Sequence, residues 1–322
     1  MAIRFEPVWC SVSVLSVIDG SMPPARRVVL LDAPSNLGLM PPAPGREPGV
    51  RRLAEALRAR DLLARLGAED GGRIDPPPYR PEPDQTTRIR NAEAIASYSR
   101  ALADAVKPLV QQGRFPLVLG GDCSILLGPM LGLRELGRYG LMFVDGHRDF
   151  LAPRASSTGG AAGMDLALAT GRGPELLTNP GGLKPLVRDE DVAALGYRDV
   201  GRAGHDLSPE FFTTGIKRYP QDQMREMGPA RAARAATAEL DGGGVTGFWI
   251  HLDVDVLDDE QMPAVDSRQP GGVTFSELRE LLRELLTSEL AVGMQVTRFD
   301  PELDPGGCAA ELATLLLEVL KR

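Results

Sequence analysis

The sequence predicts an α/β fold, a mainly parallel sheet with helices on both faces. Short apolar runs of strand length alternate with longer amphipathic segments along most of the chain. Strands separated by helices need crossover connections, which make neighbouring strands parallel. Several of the apolar runs end in glycine or acidic residues, and ligand sites in such sheets lie beyond the carboxyl ends of the strands.

The first third of the chain begins this alternation with a predicted buried strand at 28–32, VVLLD. Residues 49–66 carry valine and leucine near helical spacing and predict a helix. The proline-rich stretch 74–84 is incompatible with a helix or a central strand, so we expect an extended surface loop. A further helix is predicted from about 88 to 112, and Gly113 ends it.

The rest of the chain continues in the same way. Strands are predicted at 115–124, 139–150, 191–200, 247–258 and 291–301, a helix-rich region at 220–240 and a helix at 274–288. No connection resembles a flexible linker, so we expect one domain over 28–322 after an N-terminal extension at 1–27. Valines alternate with serines over 12–17, which also fits an extra strand, and translation can equally begin at Met22. No signal-peptide cleavage pattern is present.

The composition excludes several functional classes. The chain has 322 residues, a net charge of −8 and 43% apolar residues, enough for a substantial core. The acidic balance and only 5% aromatic residues argue against a nucleic-acid surface. No apolar stretch reaches the roughly 18 residues that a membrane-spanning helix needs. Three cysteines do not make a disulfide scaffold, so we expect a reducing compartment, the cytoplasm.

Three strand ends carry side chains of the types that bind metals. They are Asp122 and Cys123; Asp145, His147 and Asp149; and Asp253 and Asp255. In extended backbone every second side chain shares a face, so each set can converge. Crowded carboxylates repel one another unless they are protonated or neutralised by cations, and two divalent ions sharing bridging carboxylates meet that need. A metal-bound water becomes hydroxide near neutral pH, so the pattern favours hydrolysis.

These motifs, in this order, resemble the ureohydrolase family of arginases, agmatinases and formimidoylglutamases. The resemblance covers about 28–320 and rests on GGDCS, VDGHRD, AAGMDLALATG, HLDVDVLD and QPGGVTFSE. It implies a three-layer α/β/α sandwich around an eight-stranded, mainly parallel sheet, with two divalent ions, most often Mn²⁺. It also implies that a metal-bridging hydroxide hydrolyses a small guanidino, amidino or formimino compound, and that the chain forms a homo-oligomer, a trimer or hexamer.

The resemblance also implies a set of six metal ligands. Asp145 and Asp253 would bridge the two ions, Cys123 and Asp149 would complete the first, and His147 and Asp255 the second. Cys123 stands where the family motif GGDHS has histidine. As a thiolate, Cys123 would favour softer ions than Mn²⁺, such as Zn²⁺, Fe²⁺ or Ni²⁺. As a buried neutral thiol, it would leave the first position weakly held or empty.

Other departures from the family pattern concern catalysis and substrate. Ala162 replaces a histidine that is a proton shuttle in arginases, and Gln269 replaces the glutamate that clamps the guanidinium just before PGG. Leu151 and Gly201 stand where arginases hold the α-amino-acid end of arginine. Losing a charge-assisted bond costs about 1–3 kcal/mol, so arginine is a poor candidate substrate.

Three residues are candidates for catalytic roles. Asp149 would orient the hydroxide, Gln269 occupies the clamp position, and His251, two residues before Asp253 on the same face, would act as acid or base. The alternative for His251 is a core histidine, hydrogen-bonded beneath the site. Further candidates for substrate contact are Arg148, Arg268, His205, Ser156, Ser157 and Thr158, whereas Asp165 has no assigned role.

The sequence therefore predicts a metal-dependent hydrolase of linear C–N bonds. Two alternatives stay open. A catalytically degraded family member with a binding or assembly role is favoured by Cys123, Ala162 and Gln269 together. An amidohydrolase resembling the metal-dependent deacetylases, with one zinc ion held by an Asp-His-Asp set, would be indicated by a single bound zinc and by amide hydrolysis.

Overall fold

The predicted class, an α/β fold with a parallel sheet, is confirmed by the computed structural model, which describes residues 26–199 and 208–321. Eight strands form one sheet in the order β2-β1-β3-β8-β7-β4-β5-β6, and every pairing is parallel. The strands are β1 (Val28–Asp32), β2 (Glu69–Arg73), β3 (Phe115–Leu119), β4 (Gly140–Val144), β5 (Val192–Leu195), β6 (Lys217–Tyr219), β7 (Phe248–Asp253) and β8 (Ala291–Thr297).

Helices cover both faces of this sheet. They are α1 (Leu53–Arg58), α2 (Leu62–Leu66), α3 (Ala92–Gln111), α4 (Leu127–Leu136), α5 (Asp165–Ala169), α6 (Glu175–Thr178), α7 (Gln221–Met227), α8 (Pro229–Gly242), α9 (Phe275–Thr287) and α10 (Cys308–Leu320). One buried apolar cluster joins the sheet to α1, α8, α9 and α10, and a second joins the other face to α3, α4 and α5. No helix in the described ranges is long and apolar enough to cross a membrane.

Two edge strands were not predicted from the residues. β2 has the sequence EDGGR and is exposed along its whole length, and β6 has only three residues. Both lie at the ends of the strand order. An edge strand buries little side chain, so its sequence carries little of the apolar signal that identified the central strands.

Two helix predictions need correction at their boundaries. The segment 49–66 is a 3-10 turn followed by the short helices α1 and α2, which are separated at Asp61, where φ is 56°. Helix α3 begins at residue 92 rather than 88, because Arg88 and Asn91 have φ values of 60° and 53°. Left-handed backbone is incompatible with a continuing right-handed helix.

The predicted strands at 115–124, 139–150, 191–200, 247–258 and 291–301 all end earlier than expected. The residues beyond each strand form loops at the carboxyl edge of the sheet, and these loops carry the polar side chains described next. The N-terminal extension, apart from Arg26 and Arg27, lies outside the described residues, as do Gly201 and His205.

Candidate metal centre

The predicted metal-binding residues lie at the carboxyl ends of adjacent central strands. Cys123 follows β3, Asp145 directly follows β4, and Asp253 is the last residue of β7. Strands β3, β8, β7 and β4 are neighbours in that order. Because all the strands are parallel, these side chains meet at one edge of the sheet, where this fold class places its ligand sites.

Tight backbone packing orients the turn that presents Cys123. A Cβ atom at Gly121 would lie 1.7 Å from the carbonyl oxygen of Ser35, so the turn requires glycine there. The carboxylate of Asp122 accepts hydrogen bonds from the Ser35 hydroxyl at 2.7 Å and from the Ser124 amide at 2.9 Å. Both oxygens of Asp122 thus hold the turn together.

The first group of candidate ligands is fully buried. Ligand atoms of Cys123, Asp145, His251 and Asp253 all lie within 4.8 Å of one another. The Cys123 thiol donates to Asp253 Oδ2 at 2.8 Å. Burial raises the pKa of Cys123, and the Asp253 carboxylate raises it further. Without a metal ion beside it, Cys123 is therefore a neutral thiol.

The second group shares Asp145 with the first. Ligand atoms of Asp145, His147 and Asp255 lie within 4.8 Å of one another, and His147 Nδ1 is 3.0 Å from Asp255 Oδ2. Burial opposes a charge on His147, but the carboxylates of Asp255 and Asp145 raise its pKa well above the ordinary value. Without a metal, a proton on His147 supplies positive charge that these carboxylates need.

Asp149 lies beside these two groups but, among the described residues, belongs to neither. Its φ is 41°, in a region that residues other than glycine rarely adopt. Burial raises the pKa of Asp149, and the Asp145 carboxylate adds to that rise. Strained backbone of this kind is concentrated at functional sites.

The donor set fits divalent cations. Asp145 Oδ2 is buried and accepts no hydrogen bond within the described part of the chain, although buried polar atoms are normally paired. Burial raises the pKa of Asp253, and the carboxylates of Asp255 and Asp145 raise it further. Bound protons or cations relieve such crowding, and carboxylate, imidazole and thiolate together are transition-metal ligands.

A second imidazole and a further carboxylate lie against the first group. His251 Nε2 is 3.7 Å from Asp145 Oδ2 and 4.0 Å from Asp165 Oδ2. Asp165 Oδ1 accepts a hydrogen bond from the Leu166 amide at 2.8 Å, while its buried Oδ2 has no hydrogen-bond partner in the described residues. No role was predicted for Asp165 from the sequence. The available signal was a lone acidic residue in the apolar stretch AAGMDLALATG.

A buried arginine beside the two ligand groups was also not predicted from the sequence. Arg298 directly follows β8 and has a φ of 75°. Its Nε atom lies 3.5 Å from Asp253 Oδ2, and its Nη2 atom lies 4.0 Å from Asp255 Oδ2 and 2.9 Å from Asp266 Oδ1. The guanidinium therefore neutralises part of the carboxylate charge. The sequence feature that could have identified Arg298 is its position, a charged residue immediately after a buried strand.

A cavity of approximately 720 Å³ leads to this centre. Predicted residues in its wall include His147, Arg148, Asp149, Leu151, Ser156, Ser157, Thr158 and Ala162, and Arg298 also lines it. Gln269 is buried but is not among the lining residues, and its side-chain amide donates to the carbonyl oxygen of Arg198 at 3.0 Å. The structure thus brings most of the candidates together around the cavity, whereas Gln269 does not line it.

The two predicted arginine anchors differ in surroundings. Arg148 is buried and its Nε donates to Asp199 Oδ1 at 2.9 Å, so it pairs with a neighbouring carboxylate. Arg268 has a side chain that is half exposed and lies 3.5 Å from Asp259. His205 belongs to the stretch that the structure does not describe.

The chain matches the sequence profile of the arginase family over residues 26–320. The arginase of Bacillus caldovelox is 32% identical over 232 residues, which cover 72% of this chain and 76% of that protein. The arginase of Brevibacillus brevis is 30% identical over 278 residues, 84% of this chain and 91% of that protein. The native structure of Bacillus caldovelox arginase superimposes with a TM-score of 0.81 at 29% identity, covering 92% of this chain and 98% of that chain. These matches confirm the resemblance read from the motifs.

Proposed function

Because this chain belongs to the arginase family of metal-dependent amidinohydrolases, we propose that it hydrolyses a linear C–N bond in a guanidino, amidino or formimino compound other than arginine. The observation that carries the proposal is the pair of adjacent ligand groups joined through Asp145. A carboxylate shared between two groups suits two neighbouring divalent ions, the arrangement of many metal-dependent hydrolases.

Two divalent ions are the proposed cofactors. Asp145 would lie between them, with Cys123 and Asp253 on one side and His147 and Asp255 on the other. Mn²⁺ is the ion that the family favours, whereas a Cys123 thiolate would favour Zn²⁺, Fe²⁺ or Ni²⁺. Ions of this kind, when bound, act as Lewis acids and lower the pKa of a coordinated water.

The chain's own residues would position the reactants around that chemistry. Asp149 lies in the cavity wall beside both groups, where its carboxylate would accept a hydrogen bond from the attacking water and orient it. His251 Nε2 lies 3.7 Å from Asp145 Oδ2, so a proton on that nitrogen would place positive charge beside the carboxylate. Gln269 would position the loop that follows β5, because its side-chain amide donates a hydrogen bond to the Arg198 carbonyl oxygen.

Arg298 supports a substrate other than arginine. Its guanidinium lines the cavity 3.5 Å from Asp253, so a second guanidinium bound there would be repelled by a like charge. Leu151 and Ala162 line the same cavity without offering a polar group. A substrate that carries a neutral or anionic group near its scissile bond suits this wall better.

Two other functions have a specific observation in their favour. A catalytically degraded family member with a binding or assembly role is favoured by Cys123, whose neutral thiol donates to Asp253. A mononuclear zinc amidohydrolase is favoured by Asp149, which lies outside both ligand groups of the described chain. For each of the three functions we propose a homo-oligomer, a trimer or hexamer as in the family.

The test is turnover by the metal-loaded protein on a panel of guanidino, amidino and formimino compounds, with release of urea, ammonia or amine as the readout. We expect activity on at least one compound, abolished by Asp253→Asn and by Asp149→Asn while the fold survives. Asp104→Asn, an exposed carboxylate on α3, is the matched control and should remain active. A metal-replete, active Asp253→Asn protein would refute the mechanism, and no turnover in the wild type would favour the binding role.

A further inference from the structure

We propose that His251 carries its ring proton on Nε2 and is neither a metal ligand nor a general base, because Trp249 and Gln295 set its tautomer. The chain of contacts begins at Trp249, whose indole Nε1–H can only donate. It donates to Gln295 Oε1 at 3.0 Å. This bond fixes the orientation of the Gln295 amide, since the opposite orientation would set two donors against each other.

With its oxygen toward the indole, the Gln295 amide turns its nitrogen toward His251. Gln295 Nε2 lies 2.8 Å from His251 Nδ1. An amide nitrogen is only a donor, so Nδ1 must accept and carries no proton. The neutral ring then holds its one proton on Nε2.

The sheet holds this ring in one orientation. Phe143, His251 and Gln295 are paired in register across β4, β7 and β8, and the His251 ring stacks on Phe143 with centroids 4.7 Å apart and planes 8° apart. Gly293 leaves room for the indole, because a Cβ atom there would lie 2.1 Å from the Trp249 ring. All of these side chains are buried, so the ring has no space to turn over.

The Nε2 proton therefore faces two carboxylates. Nε2 is 3.7 Å from Asp145 Oδ2 and 4.0 Å from Asp165 Oδ2. A metal ligand or a general base would need a lone pair on this same atom. Moving the proton to Nδ1 would leave a buried donor facing the Gln295 amide donor, and such an unpaired group is costly. The Nε2 proton thus places positive charge beside Asp145 and Asp165, and a cation in the first group would rely on Cys123, Asp145 and Asp253.

Nitrogen-15 NMR of protein labelled only in histidine tests this directly. The chain has three histidines, and a His251→Gln variant assigns the resonance of interest. We expect the His251 ring to be protonated on Nε2 and unprotonated on Nδ1, both in the metal-free protein and after saturation with Zn²⁺. A proton on Nδ1 in either sample, or loss of the Nε2 proton on adding Zn²⁺, would overturn the proposal. The readout needs no turnover, so it stands apart from the proposed hydrolysis.

A change of one atom at Gln295 should reverse the tautomer. In Gln295→Glu the carboxylate accepts from both the indole and Nδ1–H, so we expect the proton on Nδ1 and a His251 resonance that now shifts on adding Zn²⁺. The exposed Gln223 provides the matched Gln→Glu control, which should leave the wild-type pattern. A folded Gln295→Glu protein with the wild-type tautomer would contradict the relay. If that variant fails to fold, the wild-type spectra decide alone.

Discussion

Replacing Arg298 with glutamine removes a cation that lies among the buried carboxylates of the candidate centre. The guanidinium has a side-chain exposure of only 9% and its Nε atom lies 3.5 Å from Asp253 Oδ2. It also reaches Asp266 Oδ1 at 2.9 Å. Glutamine keeps a Cβ atom at the same left-handed backbone position, where φ is 75°, so the change in strain is small and the change in charge dominates.

The expected loss of stability follows from that distance. Two unit charges about 3.5 Å apart attract by roughly 5 kcal/mol at an effective dielectric constant of about 20. Breaking a buried ion pair by removing one partner costs about 3–5 kcal/mol. We therefore expect metal-free Arg298→Gln to lose about 3–5 kcal/mol of unfolding free energy. Saturating Mn²⁺ or Zn²⁺ should reduce the loss, because a bound cation neutralises Asp253 and Asp255 instead.

Urea unfolding with a chelator and with saturating metal measures both quantities. Arg268→Gln is the matched control, because Arg268 Nη2 lies the same 3.5 Å from Asp259 but its side chain is 50% exposed. An exposed pair contributes about 0–1 kcal/mol. Equal losses in the two variants would refute the electrostatic account of the centre. The same conclusion would follow if saturating metal left the loss of unfolding free energy in Arg298→Gln unchanged.

Further predictions concern pH, the ligand loops and a helix end. The raised pKa values of Asp149 and Asp165 mean that the metal-free fold retains protons which the unfolded chain releases near about pH 4. Its unfolding free energy should therefore fall as pH rises from there through the raised values. Urea unfolding in chelator at about pH 5 and about pH 8 measures this trend, and greater stability at the higher pH would contradict it. A Cβ atom at Gly146 would lie 2.7 Å from the Asp255 carbonyl oxygen, so Gly146→Ala should cost about 1–3 kcal/mol and weaken metal binding, which calorimetric titration would detect. The capping box of α9 begins at Thr274, and Thr274→Ala should cost about 0.5–2 kcal/mol in thermal unfolding without changing the metal content.

The central strands could be predicted because burial on both faces leaves a clear mark in the sequence. VVLLD in β1 and GLMFV in β4 are continuous apolar runs, and each is followed by the polar residues of a loop. The edge strand β2 has no such mark, since EDGGR is exposed and polar throughout. It forms because β1 offers it a free edge, and that is a property of the assembled sheet rather than of the segment.

The candidate ligands could be predicted where they repeat at every second residue after a strand. Asp145, His147 and Asp255 are of this kind, and the structure gathers them into one group. Asp165 and Arg298 have no such periodicity. They reach the site from separate elements, α5 and the loop after β8, so no spacing along the chain links them to the other candidates. The role of the Gln295 amide could not be predicted from the sequence. It depends on the register of β7 and β8, which places Gln295 beside His251.

Metal content per chain, measured by elemental analysis after dialysis against Mn²⁺ or Zn²⁺, tests the central claim most directly. The wild type should be compared with Cys123→His, which restores the family's ligand type at the first position. We expect two ions per chain in both proteins, with Zn²⁺ preferred by the wild type because Cys123 binds as a thiolate. No ion in the wild type, or one that becomes two only in Cys123→His, would contradict a two-ion centre in which Cys123 is a ligand.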